Sequence, residues 1–216
     1  MFDLTLTFDN GPEPEATPMV LDILARRGVL STFFVIGEKL AQPRRRAMCE
    51  RAKAEGHWIG NHTWTHSGPF GHRREASLAE REIGRTQEEL AGLSHPSRYF
   101  RPQGGGGRLG RHLLTEEIVS FLKGGGYSCV LWNAVPRDWD DADGWVARAL
   151  AACHERSWTL MVLHDLPAGA PRNLDRFLGQ VADKGGRVRQ DFPADCVPVA
   201  DGIVTGALES YVAAKE

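Results

Sequence analysis

Leu4-Thr5-Leu6-Thr7-Phe8-Asp9-Asn10-Gly11-Pro12 opens as an alternating apolar run and closes on four residues that turn the chain. Alternation with period two is the pattern of a β-strand, and Asp-Asn-Gly-Pro is turn chemistry. The stretch therefore sets two polar side chains, Asp9 and Asn10, at the carboxyl end of a first strand. In α/β sheets, open or closed, ligands bind at that edge.

Working outward, the same unit repeats. Thr17 caps and Pro18 begins a helix that Gly28 stops, with Val20, Leu21, Ile23 and Leu24 as its apolar face. Residues 29–36 are β-branched and aromatic and read as a second strand; Pro43 to Gly56 reads as a helix. Trp58 and Ile59 start a third strand that runs into His62 and His66, and residues 67–75 form a loop. A capping box of Ser77 and Glu80 opens the next helix, to about Leu93. Strands at Tyr99-Phe100, 127–135, 158–163 and 187–192 follow, separated by helices that begin at Thr115, Ala142 and Asn173, with a last helix over 208–214. Seven strands alternating with helices predict an α/β fold of parallel strands with right-handed crossovers. No composition shift or linker divides the chain, so residues 1–216 read as a single domain.

The chain has 216 residues, 42% hydrophobic and 25% charged, enough to bury a large core without staples. A net charge of −2 excludes a general attraction to nucleic acid or an anionic membrane. No basic start followed by an apolar block appears in residues 1–20, and no apolar run approaches the roughly 18 residues of a membrane span. Cys49, Cys129, Cys153 and Cys196 are scattered with no Cys-x-x-Cys, so free thiols in a cytoplasmic protein are expected.

Polar residues collect at the strand ends: Asp9 and Asn10, His62 and His66, Arg101, Asp138 and Trp139, His164 and Asp165. In a parallel barrel those ends share one face, where catalytic residues gather. His62 and His66 are four apart; on a helix both rings would share a face and suit a divalent metal, whereas the bland reading is two surface histidines. A third ligand would come from Asp9 or Asn10. Arg101 either bridges at the rim or holds a carboxylate ionised for use as a base. Asp138 beside His164 would fix its tautomer and make it a general acid. Trp139 is a core residue or a stacking surface for a sugar ring. The run Gly104 to Gly107 lacks the phosphate-loop pattern but allows backbone N–H groups to approach an oxyanion.

These residues in this order resemble the polysaccharide deacetylase family. The matching stretches are Thr7-Phe8-Asp9-Asn10-Gly11-Pro12, His62 to His66, Arg101-Pro102-Gln103-Gly104-Gly105, Asp138-Trp139 and Leu163-His164-Asp165. The resemblance implies a distorted (β/α) barrel and a hydrolase that removes N- or O-acetyl groups from an acetylated sugar or oligosaccharide. It implies a divalent metal, zinc first, at Asn10, His62 and His66. Asp9 matches the base, Arg101 its tether, His164 the acid and Asp138 the acid's partner. Gly104 matches an oxyanion donor through its N–H, and Leu163 a wall of the acetate pocket. Two positions depart. Gln103-Gly104 replaces the family's Pro-Tyr, and Asn10 replaces a metal-binding Asp. Asn10 leaves three readings: an amide-ligated metal, a metal-free and impaired homologue that binds sugar or regulates, or deamidation of the labile Asn10-Gly11 pair to Asp. Glycoside hydrolysis by Asp9 and Asp138 is the rival chemistry, and it leaves the two histidines without work.

Overall fold

The computed structural model describes residues 1–214. Its strands are β1 (Phe2–Asp9), β2 (Thr32–Val35), β3 (Trp58–Asn61), β4 (Tyr99–Phe100), β5 (Ser128–Cys129), β6 (Trp158–His164), β7 (Gly186–Arg189), β8 (Val199–Ala200) and β9 (Ile203–Val204). The helices are α1 (Thr17–Arg27), α2 (Gly37–Leu40), α3 (Pro43–Ala54), α4 (Arg85–Glu89), α5 (Glu116–Gly124), α6 (Trp145–His154) and α7 (Leu174–Asp183). One sheet contains every strand, in the order β6-β1-β2-β3-β4-β5-β8-β9, with β7 added against β1. β1 to β7 pair in parallel, as the alternation predicts. The sheet curls into a distorted barrel, and the chain after β5 reaches the far edge of β6, where Val162 N–H donates to Ala134 O at 3.0 Å.

β1 is central because both of its faces are buried. Leu4, Leu6 and Phe8 face outward into the main core with Val20, Leu21 and Leu24 of α1 and Phe177, Leu178 and Val181 of α7. The alternate residues Thr5, Thr7 and Asp9 are also buried. Their hydroxyls are satisfied within the barrel: Thr7 Oγ1 donates to Met161 O at 2.8 Å and Thr5 Oγ1 to Asp191 O at 2.6 Å. β6 runs beside β1 over its whole length, with Phe8 opposite Leu163 and Asp9 opposite His164. On its other side β1 pairs first with β7 and then, from Thr7 to Asp9, with β2.

Four local expectations change. The fifth strand is two residues long rather than nine, because β8 takes its edge in antiparallel pairing and Leu131 N–H turns to Cys196 O at 2.8 Å. β8 and β9 are therefore antiparallel additions to the seven parallel strands. Residues 208–214 hold only a short 3₁₀ turn, Leu208–Tyr211, not a helix. Ser77 forms no capping box; its φ is 55°, and a π-helical turn, Glu80–Gly84, precedes α4. Thr17 lies inside α1 rather than capping it, and its hydroxyl is taken by Asp165. Among the described residues no helix is long and apolar enough to cross a membrane.

Candidate active site

The carboxyl ends of β1, β3, β4 and β6 open onto a cleft of about 280 Å³. Asp9, Asn10, His62, His66, Gly104, Trp139 and His164 all line it.

Asp9 is held from below. Arg101, fully buried, donates from one terminal nitrogen to Asp9 Oδ1 at 2.8 Å and to Thr7 Oγ1 at 2.6 Å. Its other nitrogens donate to Val130 O and Leu131 O, both at 3.0 Å, and its plane lies over the Phe34 ring. The guanidinium is thus fixed at every nitrogen, as a charge taken out of water must be. Burial alone would raise the Asp9 carboxyl. The Arg101 charge, with His62 and His164, outweighs it and holds Asp9 below the ordinary carboxylate range.

Across the strand pair His164 is gripped twice by Asp138. Its backbone N–H donates to Asp138 Oδ2 and its Nδ1 to Oδ1, each at 2.8 Å. The Nδ1 proton is thereby assigned, and Nε2 is left for chemistry. Burial opposes the charged ring, but the Asp138 hydrogen bond and charge overcome it and raise His164 above 6.5. Trp139 stands edge-on to the His164 ring, centroids 4.6 Å apart.

His62 and His66 do not sit on a helix. They lie on a turn after β3, in which Thr63 and His66 adopt positive φ of 68° and 54°, and this brings the rings to 4.9 Å. His62 Nδ1 lies 2.8 Å from Arg101 O, which can only accept, so the ring's lone pair is on Nε2, 3.6 Å from Asp9 Oδ2. Burial lowers both histidines, His66 to about 3, so both are neutral and competent as ligands. Asn10, at φ 75°, ends β1 with its Oδ1 buried and without a hydrogen-bond partner. An orphan acceptor beside two neutral imidazoles fits a divalent cation. Among the described residues no three His, Cys, Asp or Glu side chains cluster as a metal site, so the third donor available is an amide.

The turn's anchor was not legible in the sequence. Glu82, on the π-helical turn and 1% exposed, accepts from Trp64 N–H, Thr65 N–H, Thr65 Oγ1 and Arg73 at 2.7–3.0 Å. Glu82→Ala strands two backbone donors and leaves Arg73 with Glu75 alone as its carboxylate partner, and is expected to cost about 2–4 kcal/mol in urea unfolding.

Leu163 is not a cleft wall. It packs outward in the main core, and Val162 and Leu166 line the cleft instead. Strand alternation explains it: with His164 pointing in, the inward neighbour on β6 is two residues back. The family's missing tyrosine ring also has a substitute. Trp132 lines the cleft, donates from its indole to Gly107 O at 2.9 Å, and lies so near Gly104 that a Cβ there would sit 2.6 Å from the ring. Gly11 is required for a similar reason, since its Cβ would sit 2.1 Å from Asp165 Oδ2. Asp165 is buried beneath this loop, takes the Thr17 hydroxyl at 2.5 Å, and is pushed by burial up to about 7.

The comparisons with known proteins agree with this geometry. The family model for polysaccharide deacetylase matches residues 3–119. A chitooligosaccharide deacetylase of Rhizobium leguminosarum bv. phaseoli is 36% identical over 167 residues, 75% of this chain and 67% of that protein. A family 4 carbohydrate esterase from Streptomyces lividans, solved with acetate, superposes with a TM-score of 0.74 at 26% identity, covering 92% of this chain and 97% of that one. A peptidoglycan N-acetylglucosamine deacetylase, solved with a naphthyl-substituted N-hydroxybenzamide, superposes with a TM-score of 0.73 at 27% identity, covering 87% and 85%. The chain belongs to the polysaccharide deacetylase family and is, by that membership, a carbohydrate deacetylase.

Proposed function

We propose that the cleft removes N-acetyl groups from a glucosamine-containing saccharide, with a divalent metal held by His62, His66 and Asn10. The observation that supports it best is the pairing of Asp9, held by Arg101, with His164, whose charged form Asp138 favours, at opposed positions of β1 and β6. Names of relatives acting on chitooligosaccharides and peptidoglycan point to the substrate class. The imidazoles suit zinc, and the neutral amide oxygen also admits harder ions. When bound, such an ion lowers the pKa of water and polarises an acyl carbonyl. Asp9 takes the proton of the attacking water, and Arg101 keeps its carboxylate in place. The Gly104 N–H, unpaired among the described residues, is the backbone donor for the developing oxyanion. His164 Nε2–H protonates the leaving nitrogen. Trp139 and Trp132 offer aromatic faces to the sugar and the acyl group. We assign residues 1–216 to one catalytic domain, and four buried free thiols favour a reducing, cytoplasmic setting.

The test is acetate release from chitooligosaccharides and peptidoglycan fragments, with and without chelator. Activity that vanishes on chelation and returns with Zn²⁺ is expected. Indifference to chelator overturns the metal, and no acetate from any substrate favours a sugar-binding homologue disabled at Asn10. Asn10→Asp adds a charge to the donor set and is expected to tighten zinc by about tenfold or more, read by competition with a chromophoric chelator.

A further inference from the structure

Gln103 is the second departure from the family's motifs, and it lies against a histidine. Its Nε2 is 3.4 Å from His66 Nδ1, while its Oε1 is buried with no hydrogen-bond partner. The two ends of an amide have the same shape, and their partners decide which is which. With the nitrogen toward His66, Nδ1 must accept, the ring proton goes to Nε2, and the buried oxygen has no use. A half-turn of the amide puts Oε1 at that contact. It then accepts from Nδ1–H, and the lone pair of His66 moves to Nε2.

That second arrangement repeats the one at His62, whose Nδ1 donates to Arg101 O at 2.8 Å. Both acceptors would then come from one segment, residues 101 and 103, directly after β4. Outer acceptors of this kind commonly orient metal-ligating histidines and raise their basicity.

We propose that Gln103 is a positioning residue: its side-chain oxygen fixes His66 in the Nδ1–H tautomer and so presents Nε2 to the cleft. The value of that orientation for metal rests on the reading of His66 as a donor, but the tautomer itself is a property of the metal-free protein. A chain that has given up a charged ligand at Asn10 gains the more from a well-oriented imidazole.

The experiment is ¹⁵N NMR of the histidine rings in the metal-free protein, with the His66 signals assigned by their loss in His66→Gln. Wild type should show His66 protonated at Nδ1. Gln103→Leu, similar in size and unable to accept, should shift the ring toward the Nε2–H form and weaken Zn²⁺ binding about 10–100-fold in chelator competition. Gln103→Glu should keep the Nδ1–H form. Wild-type His66 protonated at Nε2, or a Gln103→Leu protein with unchanged tautomer and zinc affinity within about twofold of wild type, overturns the proposal. A Gln103-dependent Nδ1–H tautomer in a protein that takes up no zinc upholds the orienting role and overturns the metal reading instead.

Discussion

Asp9→Asn is expected to lower kcat/KM for acetate release by about 10²–10⁴-fold, the usual range for loss of a general base. The amide keeps the shape of the carboxylate and still offers an oxygen to Arg101, so the cleft stays assembled. It removes the charge that offsets the buried guanidinium, and urea unfolding should register a loss of up to about 3–5 kcal/mol. Arg101→Met is the harsher change. Besides leaving Asp9 buried and unpaired, it strips donors from Thr7 Oγ1, Val130 O and Leu131 O. Its carboxyl should then titrate well above its present position, because burial, the largest influence on it, would be less opposed. A variant with Asp9→Asn activity near wild type would remove Asp9 from the mechanism.

Asp138→Asn is the other large effect. The raised His164 stays protonated to pH values above 6.5 because Asp138 faces it. Activity that needs the acid form should persist below the folded-state pKa and fall as pH rises through it. Without the carboxylate charge that limb moves to lower pH, and kcat at neutral pH should drop by about 10²-fold or more. Stability follows the same sign. The pair's contribution is fully present below 6.5 and is lost as pH rises through the raised folded value, so the variant should lose most stability in mildly acid solution. A pH–rate profile whose alkaline limb does not move in Asp138→Asn would show that another group supplies the proton.

Much of this site was readable because the strand ends are local signals. Asp9, Asn10, His62, Arg101 and His164 each follow an apolar run, and parallel pairing brings those ends together. What escaped was set by tertiary contact. Glu82 sits on a helix 17 residues past the turn it holds, and nothing in its own neighbourhood marks it as buried. Trp132 fills the space of a ring missing at position 104 from a different strand end. The His62–His66 spacing would bring both rings to one face on a helix; here two left-handed residues achieve the convergence on a turn. Leu163 was placed on the wrong face by one residue, the error to which a period of two is most sensitive. The antiparallel hairpin of β8 and β9 has only two-residue strands, too short for any alternation to show.

The opposition of Asp9 and His164 has a consequence for how such a barrel diversifies. Their Cα atoms are partners on a continuous ladder of seven paired positions between β1 and β6, Asp3 to Asp9 against Trp158 to His164. Neighbouring strands keep about 4.8 Å whatever the loops above them do. The span between proton acceptor and proton donor is therefore written into main-chain hydrogen bonds, the part of the molecule least altered by substitution. Loops such as residues 67–72 and 108–112 can be lengthened, shortened or exchanged to suit a new sugar without retuning that span. Grafting experiments aimed at altered specificity have their freest choice there, and their least freedom at the seven rungs beneath.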